Sequence, residues 1–115
     1  MKIDAKFSFM KDRLDVLGMD RLIADKIEKD PALLEIGIQN IDRWIANGAT
    51  QVHRLEEWRS WILEAQNSPI AMTHLLAILR EDSEKASHLR DFAPFSGVLS
   101  TEERRPFILE CAYAH

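Results

Sequence analysis

This 115-residue sequence has little of several features that would place it in a special class of protein. Its single cysteine, Cys111, excludes an internal disulfide and favours a reducing compartment. No apolar run approaches the ~18 residues that a membrane-spanning helix needs. The first residues carry charges where a signal peptide has its apolar core. We therefore expect a cytoplasmic protein with no membrane partner.

The motifs of catalysis and cofactor binding are also missing. The four glycines form no Gly-rich loop of the kind that cradles phosphates. The four histidines lie in no His-Glu-x-x-His motif, and there is no Cys-x-x-Cys pair. We therefore predict no catalytic residue, metal or cofactor. A small enzyme of unrecognised class stays an open alternative, because active sites need not show motifs in sequence.

An excess of basic charge is lacking as well. The formal net charge is −4 and the pI is about 5.5. Nucleic-acid binders usually carry a basic stripe, because neutralising phosphates supplies most of their affinity. The charge balance therefore disfavours a nucleic-acid partner. An acidic surface instead suits a basic protein partner by electrostatic complementarity.

Helical periodicity is what the sequence does have. Apolar residues recur at spacings of three and four in successive segments, and no stretch alternates at period two long enough to indicate a strand. This pattern predicts an all-α single domain over residues 1–115, a compact bundle or orthogonal array of about six or seven helices. The predicted helices cover 5–17, 21–29, 31–47, 52–66, 69–80 and a short stretch after Ser83, followed by a C-terminal helix after Ser100.

Local signals set the helix boundaries. Asp30-Pro31 and Ser68-Pro69 each combine an N-cap side chain with a proline at the first helical position. We expect Gly18 to end the first helix and Asp20 to cap the second. Asn47-Gly48 is expected to end the third helix in the same way.

The last third of the chain contains three more signals. Pro94 and Gly97 interrupt the helical pattern, and the apolar residues around them predict a loop that is pinned to the body. Ser100 and Glu103 have the spacing of a capping box. Pro106 then either kinks the last helix or starts a new one.

Gly37 lies inside the third predicted helix, where a glycine lowers helix stability. We therefore predict that another element crosses close to it.

The three tryptophans and the first helix supply the candidate partner-binding residues. Residues 1–29 form an N-terminal helical segment, which we interpret as a partner-binding arm preceding the central helices (30–92) and the loop and C-terminal helix (93–115). The alternative is that this segment packs on its own domain. Trp61 lies beside the Leu55–Trp58–Ile62 stripe and is a candidate interface anchor. The candidate set is Phe7, Phe9, Met10, Leu14, Leu17 and Trp61.

A helix-turn-helix at 69–90 is the alternative function. The lengths of the two helices suit such a motif, and the second would offer Lys85, Ser87, His88 and Arg90 to DNA. The neighbouring acidic side chains oppose it, because they would face the phosphate backbone. They are Glu81, Asp82, Glu84 and Asp91.

Three stretches of the chain carry a resemblance to a known group of proteins. They are Ile41-Asp42-Arg43-Trp44, residues 55–59 and residues 87–104, the last containing the pattern Arg-x-x-x-Pro-Phe-x-Gly-Val-Leu-x-x-Glu-Glu-Arg. Over about residues 31–105 the chain resembles small uncharacterised bacterial helical proteins, some of them encoded in toxin–antitoxin-type or defence loci. The resemblance implies an antitoxin-like regulator that binds and neutralises a protein partner, such as a toxin encoded nearby, and it carries over no catalytic residues. A homodimer through the tryptophan-bearing helices remains an alternative.

Overall fold

Six α-helices and one 3₁₀ turn form the part of the chain that the computed structural model describes, which is residues 15–112, with side chains for 15–107. No strand occurs among these residues, so the all-α prediction is confirmed. The helices are α1 (Val16–Lys29), α2 (Leu34–Ala46), α3 (Val52–Asn67), α4 (Pro69–Arg80), α5 (Glu84–Arg90) and α6 (Thr101–Ala112), and the 3₁₀ turn is Pro31–Leu33.

The helices share one core, in which α4 contacts α1, α3 and α5, while α2 packs on α3 and α6 on α1. The apolar stripe predicted for α3 is buried along its whole length. Burying these side chains is the main favourable contribution to folding. The core consists of Ile23, Ala24, Ile27, Leu34, Ile41, Leu55, Trp58, Ile62, Ala65, Leu75, Leu76, Leu79, Phe95, Val98 and Leu99.

Most of the predicted helix boundaries are confirmed by capping contacts. The Asp30 carboxylate accepts a hydrogen bond from the N–H of Ala32 at 3.3 Å, just ahead of Pro31. The Ser68 hydroxyl accepts from the N–H of Ala71 at 3.2 Å. Gly48 has a φ of +93°, the left-handed conformation that ends α2 and that glycine adopts without strain.

The start of α1 differs from the prediction. Asp15 is the N-cap, accepting from the N–H of Gly18 at 2.9 Å, so the helix runs without a break from Val16 to Lys29. A Cβ at Gly18 would lie 2.8 Å from the Phe107 ring, so this glycine permits a close approach of α6. Asp20 lies inside the helix and is buried. The predictions that Gly18 ends a helix and that Asp20 caps the next one are therefore wrong.

The body of α1 is also part of the core, which limits the predicted arm. Ile23, Ala24 and Ile27 are buried, and α1 packs on α4. Residues 16–29 therefore belong to the folded body. The rest of the predicted arm, residues 1–14, lies outside the described residues.

The segment between α5 and α6 is pinned to the body, as predicted. The side-chain amide of Asn40, 3% exposed, donates to the carbonyls of Pro94 and Ser96, both at 2.8 Å. The Lys26 ammonium donates to the carbonyl of Val98 at 2.9 Å. Two polar side chains from α1 and α2 thus satisfy backbone groups that a buried loop would otherwise leave unpaired.

The capping box at the start of α6 is confirmed in both directions. The N–H of Ser100 donates to Glu103 at 2.8 Å, and the N–H of Glu103 donates to the Ser100 hydroxyl at 3.0 Å. Lys26 also donates to Glu103 at 2.7 Å, and these bonds hold the pKa of the Glu103 carboxyl below its usual value. The helix continues through Pro106 rather than starting there.

Gly37 makes the close crossing that the sequence predicts. A Cβ at this position would lie 2.8 Å from Ile62 Cδ1 and 3.0 Å from Phe95 Cε1. We expect the Gly37→Ala variant to be about 1–2 kcal/mol less stable in urea denaturation, because core crowding outweighs a gain in helix propensity of about 1 kcal/mol. The matched control is Gln39→Ala, an exposed site on the same helix, with a change within about 0.5 kcal/mol. A Gly37→Ala variant as stable as the wild type would contradict this packing.

Candidate functional site

A concave surface follows one side of α3. It consists of three adjoining depressions of about 350, 360 and 270 Å³. The first two share Asp91 and Phe92, and the last two share Trp61. Between Gln51 at one end and Glu64 at the other, α3 advances about 20 Å, so the site is elongated. We call this surface the α3 groove.

The short helix α5 forms one wall of the α3 groove, and two buried side chains hold it in place. The indole N–H of Trp58 donates to the carbonyl of Leu89 at 3.0 Å. Arg90 donates to the carbonyls of Ile78 and Glu81 at 2.9 and 2.6 Å, which ties the end of α5 to the end of α4. Buried side chains thus hold the α5 wall of the groove in place.

Three half-buried aromatic side chains line the α3 groove. Trp44 lies in the first depression, Phe92 in the first and second, and Trp61 in the second and third. Trp61 packs edge to face on the buried Trp58, with ring centroids 5.0 Å apart and an interplanar angle of 72°. Its exposed part is therefore presented from a rigid base, as interface anchors commonly are.

Charged side chains lie along the α5 wall. Lys85, His88 and Asp91 are exposed and spaced by three residues, so they follow one side of the helix. Among the described residues, neither Lys85 nor His88 has a side-chain partner. On the opposite wall Arg54 pairs with Glu57 at 3.3 Å. The unpaired charge of the central depression is thus cationic at Lys85 and anionic at Asp91.

The structure places only one predicted site residue, Trp61, in the α3 groove. Leu17 is half-buried on α1 and lines a separate small depression with Val16 and Asp82. The other four candidates, Phe7, Phe9, Met10 and Leu14, lie outside the described residues. The sequence does not single out Phe92 as a site residue. The one signal for it is its position directly after the series Lys85, His88 and Asp91, which is spaced by three residues.

The helix-turn-helix alternative loses its strongest cation in the structure. The sequence predicts that Arg90 faces DNA, but its side chain is 7% exposed and donates hydrogen bonds to carbonyls at the end of α4. Lys85, Ser87 and His88 are exposed, as are the acidic residues on either side of them. The prediction that Arg90 is available for phosphate contact is therefore wrong, because the residue closes the end of α4 instead.

One buried carboxyl group has a strongly shifted pKa. Burial raises the pKa of Asp20 to about 6, while the guanidinium of Arg90, 3.3 Å away, lowers it and Asp91 raises it. Its Oδ2 atom is closed off from solvent and accepts no hydrogen bond from the described residues. Buried ion pairs perturb pKa values without being reactive, and a substrate would not reach this atom.

Clusters of possible metal ligands and membrane-spanning helices do not occur among the described residues. Within the described residues no group of three or more His, Cys, Asp or Glu side chains is placed to hold a metal ion. In the same part of the chain no helix is long and apolar enough to span a bilayer. No protein-family model, curated protein or solved structure matches the chain.

Proposed function

We propose that this protein is a non-catalytic regulator that binds a partner protein in the α3 groove. The observation that carries the proposal is the row of three half-buried aromatics, Trp44, Phe92 and Trp61, along three adjoining depressions. Partly exposed tryptophans on a rigid base supply much of the binding energy at protein interfaces. The exposed Lys85 and Asp91 lie beside this row, an arrangement of apolar centre and polar rim typical of interfaces.

The antitoxin-like role is part of the same proposal. It is supported by the resemblance in residues 31–105 and by the acidic balance of the chain, which would suit a basic toxin that handles nucleic acids. The stretch that carries the resemblance most specifically, residues 87–104, holds α5, the loop and α6 to the body. These residues therefore stabilise the fold, and the α3 groove provides the binding surface.

The test is a quantitative pull-down with the tagged full chain from its native cell. We expect Trp61→Ala to reduce retention of the partner at least tenfold, because truncating a central tryptophan anchor costs about 2 kcal/mol or more of binding free energy. Leu63→Ala is the matched control, since Leu63 is exposed on the same helix and does not line the groove. Its retention should be unchanged.

A second variant keeps the test independent of folding. Lys85 is exposed and unpaired among the described residues, so Lys85→Glu should leave the melting curve unchanged while weakening partner retention. Co-expression of the captured partner then tests the antitoxin-like role, with growth arrest relieved by the wild type and not by Trp61→Ala. If the wild type, Trp61→Ala and Lys85→Glu all retained the partner equally, the groove would not be the binding site.

A further inference from the structure

The charges of the α3 groove indicate what kind of partner segment it takes. No sheet edge exists among the described residues, so a partner strand has no ladder to extend. The groove instead lies between helices, which is the geometry of helix-in-groove recognition. Its length of about 20 Å corresponds to about 13 residues of a partner helix.

One unpaired cation lies beside the main aromatic anchor of the groove. Lys85 lines the same depression as Trp61, and Arg54 on the other wall is already paired with Glu57. Asp91 lies six residues beyond Lys85, about 9 Å along α5. A partner helix with a carboxylate and an amine two turns apart on one side would match both charges.

We propose that the α3 groove binds an amphipathic helix whose apolar anchor at Trp61 is accompanied by a carboxylate facing Lys85 and His88. This inference rests on the proposed function and names the chemistry of the partner segment. The chain's own N-terminal segment is the competing ligand, because residues 1–14 carry four basic and two acidic side chains and include Asp4 and Lys11, seven residues apart.

The test uses synthetic helical peptides and the full-length protein. Three fluorescein-labelled 18-residue peptides share one apolar face and differ at two positions seven residues apart, which hold Glu and Lys, Gln and Gln, or Lys and Lys. A fourth peptide has the sequence of residues 1–14. Binding is measured by fluorescence anisotropy at low and at moderate salt.

The Glu/Lys peptide is expected to bind roughly three- to tenfold more tightly than the Gln/Gln and Lys/Lys peptides, an advantage that shrinks as salt is added. The Gln/Gln and Lys/Lys peptides should bind about equally, because the Lys/Lys peptide gains at Asp91 what it loses at Lys85. Lys85→Glu should reverse the order of the first and last peptides. The matched control Lys29→Glu, an exposed charge on α1 that does not line the groove, should leave the order unchanged. Trp61→Ala should weaken all three designed peptides alike.

Three outcomes would overturn the inference. They are equal affinity for the three designed peptides, preference for the Lys/Lys peptide, and tightest binding of the 1–14 peptide, which would make the groove a site for the protein's own segment. Failure of every peptide to bind, while capture of the native partner still depends on Trp61, would overturn the acidic-helix inference and leave the proposed function standing. A native partner retained equally by Trp61→Ala would instead contradict the proposed function.

Discussion

We expect the Arg90→Met variant to lose about 3–5 kcal/mol of unfolding free energy at pH 7.5, because it leaves a buried charge without its partner. The Arg90 guanidinium lies 3.3 Å from the Asp20 carboxylate and donates to the carbonyls of Ile78 and Glu81. Removing it strands one carboxylate and two carbonyls at the junction of α1, α4 and α5. Methionine fills much of the same volume, so the loss reports the polar contacts rather than a cavity.

This loss should shrink as the pH falls. Burial raises the pKa of Asp20 from 3.8 to about 6, so between these values the folded protein holds a proton that the unfolded chain releases. The contribution of Asp20 to the free energy of unfolding is therefore fully present below pH 3.8, the pKa in the unfolded chain, and is lost as the pH rises through 6. Without Arg90 the pKa of Asp20 is higher still, so the gap between variant and wild type at pH 4.5 should be smaller by roughly 1–2 kcal/mol.

Two controls isolate this effect in urea denaturation followed by circular dichroism. Arg80→Met removes an arginine that pairs with Asp25 and Glu28 at the surface, and it should cost no more than about 1 kcal/mol. Asp20→Asn in the Arg90→Met background should recover part of the loss at pH 7.5. An Arg90→Met loss equal to that of Arg80→Met, or one that does not change with pH, would contradict the buried pair.

The Trp58→Ala variant should lose about 3–5 kcal/mol of unfolding free energy, as large-to-small changes of buried aromatics do. Trp58 is 1% exposed and packs edge to face on Phe95, with ring centroids 5.7 Å apart. Its indole N–H also holds the carbonyl of Leu89, so the variant leaves a cavity and an unpaired acceptor. Loss of this contact should in addition loosen α5 and the wall of the α3 groove.

The matched comparison is Trp61→Ala on the same helix. Trp61 is half-buried, so its truncation should cost about 1–2 kcal/mol, well below the loss at Trp58. Denaturation should be followed by far-ultraviolet circular dichroism, because both variants change the tryptophan fluorescence. Equal losses at the two positions would show that the core does not extend under the groove as described.

Features of the fold that depend on neighbours in sequence were predictable. The caps at Asp30 and Ser68 and the capping box at Ser100 and Glu103 each involve residues within three positions. The buried stripe of α3 follows from helical period alone. These signals determine where helices begin and end, which is why the boundaries from residue 30 to residue 101 agree with the prediction.

Features that depend on distant contacts were not predictable in this way. Asp20 has the local signature of an N-cap, but the structure places it opposite Arg90, seventy residues away in sequence. Gly18 has the signature of a helix stop, but it makes room for Phe107. A single sequence does not show such pairs, because the same residue types serve both roles.

The candidate site was predictable only at Trp61. Its position beside the α3 stripe indicated partial exposure, and the structure shows it half-buried in the α3 groove. Lys85 and His88 belong to the set that the sequence predicts could face DNA, but their place on one wall with Asp91 and Phe92 depends on how α5 docks on Trp58. That docking depends on the hydrogen bond from the Trp58 side chain to the carbonyl of Leu89. These residues are 31 positions apart in sequence, so no local sequence pattern predicts the bond.

Hydrogen–deuterium exchange of the full chain, measured with and without its captured partner, shows which surface the partner covers. We expect the partner to slow exchange in residues 51–64 and 84–93, the two walls of the α3 groove, and to leave exchange in α1 unchanged. Slowed exchange confined to residues 1–14, or to surfaces away from α3 and α5, would contradict the assignment of the groove as the binding site.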